Sequence, residues 1–232
     1  MLRAVLFGAL AAVLVVAALL AAVALHLVPG ASPRNAVADG PVAVALVLPD
    51  PQGIATIRVL DVYTHSGGAW SVRSVSPTTT AVVSGTGGST LADAYTFGGG
   101  DGLVAAMREQ TGQAVTSWVI VDSQAWDKLR AGEPFVVDLT SDLEVFNGNR
   151  LFSFAAGHAS VPATQVAPLF DGAAYLSAPS SRELRSQVGD VLAGSLSTAS
   201  EAAASGVRTN VSATSLAGWR NVLKSVRRAP GT

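Results

Sequence analysis

Apolar positions dominate the start of the chain. Residues Ala4 to Val28 form an almost unbroken run of Ala, Val and Leu, with Phe7, Gly8 and His26 as the main interruptions. A transmembrane helix takes about 20 apolar residues, whereas the apolar stretch of a cleaved signal peptide takes about 7–15. The run has the length of a span, and the cleavage-like triplet Ala36-Val37-Ala38 lies well past its end. Residues 1–30 are therefore expected to hold a short cytoplasmic end and a single-pass anchor. Pro29-Gly30 stops the helix, and residues 31–40 read as a linker. Arg3 and Arg34 flank the span on both sides, so the positive-inside rule weighs little. Only two residues precede Arg3, which favours the N-terminus inside and a domain, residues 41–228, outside the cytoplasmic membrane.

Within that domain, short apolar runs alternate with amphipathic segments. Val42 to Leu48 reads as a buried strand ended by the turn Pro49-Asp50-Pro51. Ala55 to Tyr63 alternates as a second strand, and Ser66-Gly67-Gly68 turns the chain into a hairpin partner from Ala69 to Val75. Pro77 closes the hairpin, and Thr78 to Gly88 reads as a loop. Leu103, Val104, Met107 and Gln110 recur at helical spacing and predict a helix from Asp101 to Gly112. Strands are expected at Ser117 to Val121 and Phe135 to Leu139, with a short helix at Ser123 to Leu129 between them. Ser180 to Ala204 is the longest helical stretch, with Leu184, Val188, Val191, Leu192 and Leu196 on one face and Arg182, Arg185 and Gln187 on an early polar face. A last helix, Leu216 to Val226, carries Arg220 and Lys224 and runs into Arg227 and Arg228, all expected to be solvated. The alternation predicts an α/β fold with a mixed central sheet flanked by helices, preceded by the transmembrane helix.

Composition narrows the chemistry. Charged residues make up 13% and hydrophobic residues 49% of the 232, against about a quarter charged in ordinary globular chains. A net charge of −1 supplies no field to gather nucleic acid, and no basic–aromatic interleaving suggests it as a partner. Cysteine is absent, which excludes disulfides, thiol nucleophiles and thiolate metal sites. His26, His65 and His158 lack metal-ligand spacing, and Ser153 and Ser160 lack a nucleophile elbow. Asp122, Asp127, Asp138 and Asp142 read as capping or solvated acids.

Ala92-Asp93-Ala94-Tyr95-Thr96-Phe97-Gly98-Gly99-Gly100-Asp101 is the most distinctive stretch. Glycines ahead of a helix let backbone N–H groups approach a phosphate. No phosphate-loop or dinucleotide fingerprint accompanies them, so the expectation is a tight strand-to-helix turn with Asp101 as cap or first-turn acid.

Tyr95-x-Phe97-Gly98-Gly99, Leu103-Val104, Thr111-Gly112, Trp118-Val119-Ile120-Val121-Asp122 and Trp126-x-x-Leu129 follow one another in an order and spacing that resemble the LytR-CpsA-Psr family. There an "AYAYGG" stretch precedes a helix, a "TG" stop, a "hYVVVD" strand and an "F-x-x-L" helix. The resemblance extends to Val72 to Pro77, where the family has "SIPRD", and to Arg182-x-x-Arg185-x-Gln187, where it has "gR-x-x-RQ". It implies a bacterial cell-envelope protein with a single span and an outer domain. The implied activity is transfer of glycopolymers from a polyprenyl-pyrophosphate carrier to the cell wall, with arginines on the pyrophosphate and a divalent metal on carboxylates.

The chain departs from that pattern where the chemistry sits. Pro77-Thr78-Thr79 stands for "PRD", Ala55-Thr56 for "DT", and Tyr175 to Pro179 for "Y-x-R-x-R". The expectation is a degenerate, catalytically impaired member that binds a polyprenyl-(pyro)phosphate intermediate or an envelope partner protein, next to membrane lipid. Arg182, Arg185, Gln187 and Arg73 are its candidate phosphate ligands, with no catalytic or metal-binding residue assigned. One alternative is an active transferase whose groups have moved to Asp50, Asp61, Arg58 or Arg73, which would require Mg²⁺. Another is a structural scaffold.

Overall fold

The computed structural model describes residues 40–228, except 67, 84, 86, 112, 113 and 227. The expected anchor and linker lie outside the described residues, apart from Gly40. Among the described residues no helix is long and apolar enough to cross a membrane.

The central strand is β1 (Val42–Pro49). Around it a five-stranded mixed sheet runs in the order β3-β2-β1-β4-β9, with β2 Ala55–Ser66, β3 Ala69–Ser74, β4 Ser117–Val121 and β9 Arg208–Thr209. β1 is parallel to β4, and the remaining pairs are antiparallel. Every residue from Val42 to Leu48 is buried. A strand covered on both faces needs apolar side chains at every position, which is why this run never alternates.

Val42, Val44, Leu46 and Leu48 face one core layer, and Ala43, Ala45 and Val47 face the other. The second layer is closed by α1 (Leu91–Thr111), through Leu91, Leu103 and Met107. The first is closed by α2 (Ser123–Arg130), α3 (Val166–Ala173), α4 (Ala178–Thr198) and α6 (Ala213–Ser225), which contribute Trp126, Leu169, Leu184, Val188, Leu192 and Trp219. A short α5 (Glu201–Ala204) precedes β9. Two small antiparallel ribbons complete the fold: β5 (Phe135–Leu139) with β8 (Gly157–Val161), and β6 (Leu143–Phe146) with β7 (Leu151–Phe154).

Four expectations change. The glycine run is an elbow inside a helix, not a strand-to-helix turn: α1 starts at Leu91 and breaks only at Gly99, whose φ of 60° and ψ of −151° are non-helical. Its start is built by Thr90 and Asp93. The Asp93 carboxylate accepts from the Thr90 N–H (3.0 Å), and Thr90 Oγ1 accepts from the Asp93 N–H (3.1 Å). At the elbow the Trp118 ring occupies the space a Gly100 side chain would need, and Trp118 Nε1 donates to Asp101 Oδ1 at 2.8 Å. Asp101 is thus a first-turn acid already engaged.

The long helix ends at Thr198, because Ser200 caps a new turn by accepting from the Ala203 N–H at 3.2 Å. The β6–β7 ribbon has no counterpart among the expected strands, although Asn147-Gly148 between alternating residues is a hairpin signal. Arg228 is not solvated; its side chain is 9% exposed and ion-paired.

Candidate anion-binding pocket

β3 ends at Ser74, and the loop after it meets the start of α4 across an open cavity of about 350 Å³. Its polar lining comes from Ser74, Ser76, Thr78, Ser181, Arg182 and Arg185, and Val75, Ala173 and Leu176 supply apolar wall. Local sequence sets both sides. Ser177 caps α4 by accepting from the Ser180 N–H, with Pro179 in the first turn, so the helix begins at the pocket edge. The apolar Leu184 and Val188 dock α4 on the sheet, which leaves Arg182 exposed and Arg185 half-buried at the cavity.

Neither guanidinium has a hydrogen-bond or ion-pair partner among the described residues. Burial, followed by the neighbouring charge of Arg182, lowers the pKa of Arg185. Two cations one helical turn apart, one of them partly desolvated and neither compensated, make a site whose electrostatics are completed by an anion. Ser76 Oγ and Thr78 Oγ1 hydrogen-bond each other at 2.8 Å, which leaves one hydroxyl proton to offer a ligand from the loop.

The other candidates sit elsewhere. Gln187 clamps α4 to β5: its Oε1 accepts from the Asp138 N–H at 2.6 Å, and its Nε2 donates to the Glu183 carboxylate at 3.3 Å. Arg73 follows the inward-facing Val72 on β3, so strand parity places it on the opposite face of the sheet from α4, exposed. Asp50 is consumed by its turn, accepting from the N–H groups of Gln52 and Ile54. Arg58 falls where the β1–β2 register slips, and it donates to Asp171 Oδ1 at 2.6 Å. His158 pairs with Asp138 on the exposed β5–β8 ribbon.

Asp61, which is 1% exposed, is held by Arg228 at 3.1 and 2.7 Å and by Ser74 Oγ at 2.6 Å. Burial alone would lower the pKa of Arg228, but the hydrogen bonds and charges of Asp61 and Asp190 outweigh it and raise the pKa. Sequence reasoning missed this pair. An alternating strand containing one acid was its only signal.

Mg²⁺ takes oxygen ligands, with at least one carboxylate in most protein sites. The described pocket lining offers two guanidinium groups and hydroxyls and no carboxylate, a set that does not fit the ion.

Comparison with known proteins bears on the fold. No family model matches the chain, and no curated protein matches it. Solved structures do match. The crystal structure of B. subtilis TagV superposes with a TM-score of 0.56 at 19% identity, covering 84% of this chain and 86% of that one. Protein gbs0355 from Streptococcus agalactiae gives a TM-score of 0.59 at 12% identity, covering 85% and 79%. A structure of TagT bound to LIIa-WTA gives 0.53 at 16% identity, covering 88% of this chain and 85% of that one. At these identities the likeness establishes a LytR-CpsA-Psr-like fold.

Proposed function

We propose that the domain binds the phosphate or pyrophosphate group of a lipid-linked envelope intermediate without carrying out its transfer. One observation carries this reading. Arg182 and Arg185, without protein partners among the described residues, face the hydroxyl-bearing loop from Ser74 to Thr78 across one cavity. The two segments are about a hundred residues apart in the chain, and the resemblance assigns both to phosphate recognition. Guanidinium forks match phosphate oxygens, and a site flanked by two of them suits a concentrated negative charge.

The transfer half is absent for a physical reason. Thr78 and Thr79 occupy the place of an arginine–aspartate pair, and no carboxylate in the described lining is placed to hold a metal or take a proton. Even one positioned donor in such chemistry is worth about 3 kcal/mol. The residues of the transferase alternative are dispersed: Asp50, Arg58 and Asp61 are committed to other contacts, and Arg73 lies on the other face. The N-terminal apolar run, which has the length of a membrane span, supports this reading.

The test uses vesicles carrying a polyprenyl diphosphate and the full chain. Binding that falls about tenfold or more in Arg182→Ala or Arg185→Ala, with no polyprenyl monophosphate and inorganic phosphate released in Mg²⁺, supports the proposal. Release above background that depends on Arg182 supports a transferase instead.

A further inference from the structure

We propose that Arg228 is the stop that sets how much of a ligand the arginine pocket admits. A second cavity, about 540 Å³, lies under the same helix, with Tyr63, Val72, Ala193, Ser197 and Leu223 in its wall. The two cavities are in line. Ser74 borders the first and Val72 the second, two residues apart on β3, while Asp61 pairs with Ser74 and Tyr63 with Val72 in the sheet register. On α4, Arg185 borders the first and Asp190 the second.

The Arg228 guanidinium stands between them. It donates to both oxygens of Asp61, to Ser74 Oγ (2.5 Å) and to Asp190 Oδ1 (3.1 Å). Gly189 makes room for it: a Cβ there would overlap Asp61 Oδ2 and lie 2.8 Å from Arg228 Nη2. Arg228 lines the second cavity and bonds Ser74 of the first, so its side chain, locked to both the sheet and the helix, stands in the wall between the chambers. With it in place the arginine pocket is blind, taking a phosphate head and the first atoms attached to it. Without it the chambers join into one groove with a partly apolar rear. The head-group part of this inference rests on the proposed function; the length limit does not.

The test titrates inorganic phosphate, octyl phosphate and 1-octanol into the full chain, into Arg228→Ala, and into the double variant Asp61→Asn/Arg228→Ala. The double variant leaves no uncompensated buried charge and keeps an acceptor for Ser74. Wild type binds the two phosphates within about twofold of each other and does not take up octanol. The double variant binds octyl phosphate about tenfold or more tighter than wild type, gains octanol binding, and leaves inorganic phosphate unchanged. The stop is overturned if wild type already binds octyl phosphate about tenfold tighter than phosphate, or if the folded double variant gains neither chain-bearing ligand. Should inorganic phosphate bind none of the proteins, the phosphate reading falls, and the octanol result still decides the stop.

Discussion

Replacing Gly189 by alanine adds one methyl group at the point where α4 crosses the Asp61–Arg228 pair. In an unobstructed helix this change gains about 1 kcal/mol, because alanine is the better helix former. Here the new Cβ would overlap Asp61 Oδ2 and sit 2.8 Å from Arg228 Nη2. The side chains of the pair are 2% and 9% exposed, so neither can retreat into water while the helix stays docked. Breaking a buried pair costs about 3–5 kcal/mol, because a charge is left without its partner. Subtracting the helix gain leaves a net loss of about 2–4 kcal/mol.

Gly194→Ala is the internal control, on the same helix with nothing within 4 Å of the added Cβ. It is expected to gain up to about 1 kcal/mol. In urea melts, with a slope of about 2 kcal/mol/M, the first midpoint falls by about 1–2 M and the second rises by up to about 0.5 M. If Gly189→Ala is as stable as wild type, the pair is not a fixed wall and the reasoning fails.

Other consequences can be measured alongside. Asp93→Ala removes the α1 cap and should cost about 1 kcal/mol at neutral pH. Hydrogen bonds from Ser89 and Thr90 lower the pKa of Asp93 in the folded state, so its contribution is present above the ordinary carboxylate range and is lost as pH falls through the lowered value. The stability gap between wild type and Asp93→Ala should therefore close in acid melts, and a gap that widens would contradict the cap. Gly100→Ala drives a methyl into the Trp118 ring and should cost about 1–3 kcal/mol, with a change in tryptophan emission as the Asp101 bond is disturbed. Arg185→Ala should leave thermal stability within about 0.5 kcal/mol, since the side chain has no hydrogen-bond or ion-pair partner among the described residues.

The sheet was legible because burial acts locally on sequence: β1 is apolar at every position, β2 is buried without a break from Val59 to Tyr63, and β5 alternates. The start of α1 was hidden by the glycines of its own elbow, although Thr90-x-x-Asp93 marked it. Arg182 and Arg185 could be named from the resemblance. Nothing in periodicity, however, says that the loop after Ser74 faces them, since that depends on how α4 docks. The Asp61–Arg228 pair was beyond reach for the same reason. Its members are 167 residues apart, and each alone reads as an ordinary polar position.

Calorimetric titration of the full chain with inorganic pyrophosphate tests the central claim most directly. The account predicts binding that weakens about tenfold or more in Arg182→Ala and in Arg185→Ala, and that is unchanged in Arg73→Ala, whose side chain lies on the far face of the sheet. Binding that survives both pocket substitutions, or that is lost with Arg73, would contradict it.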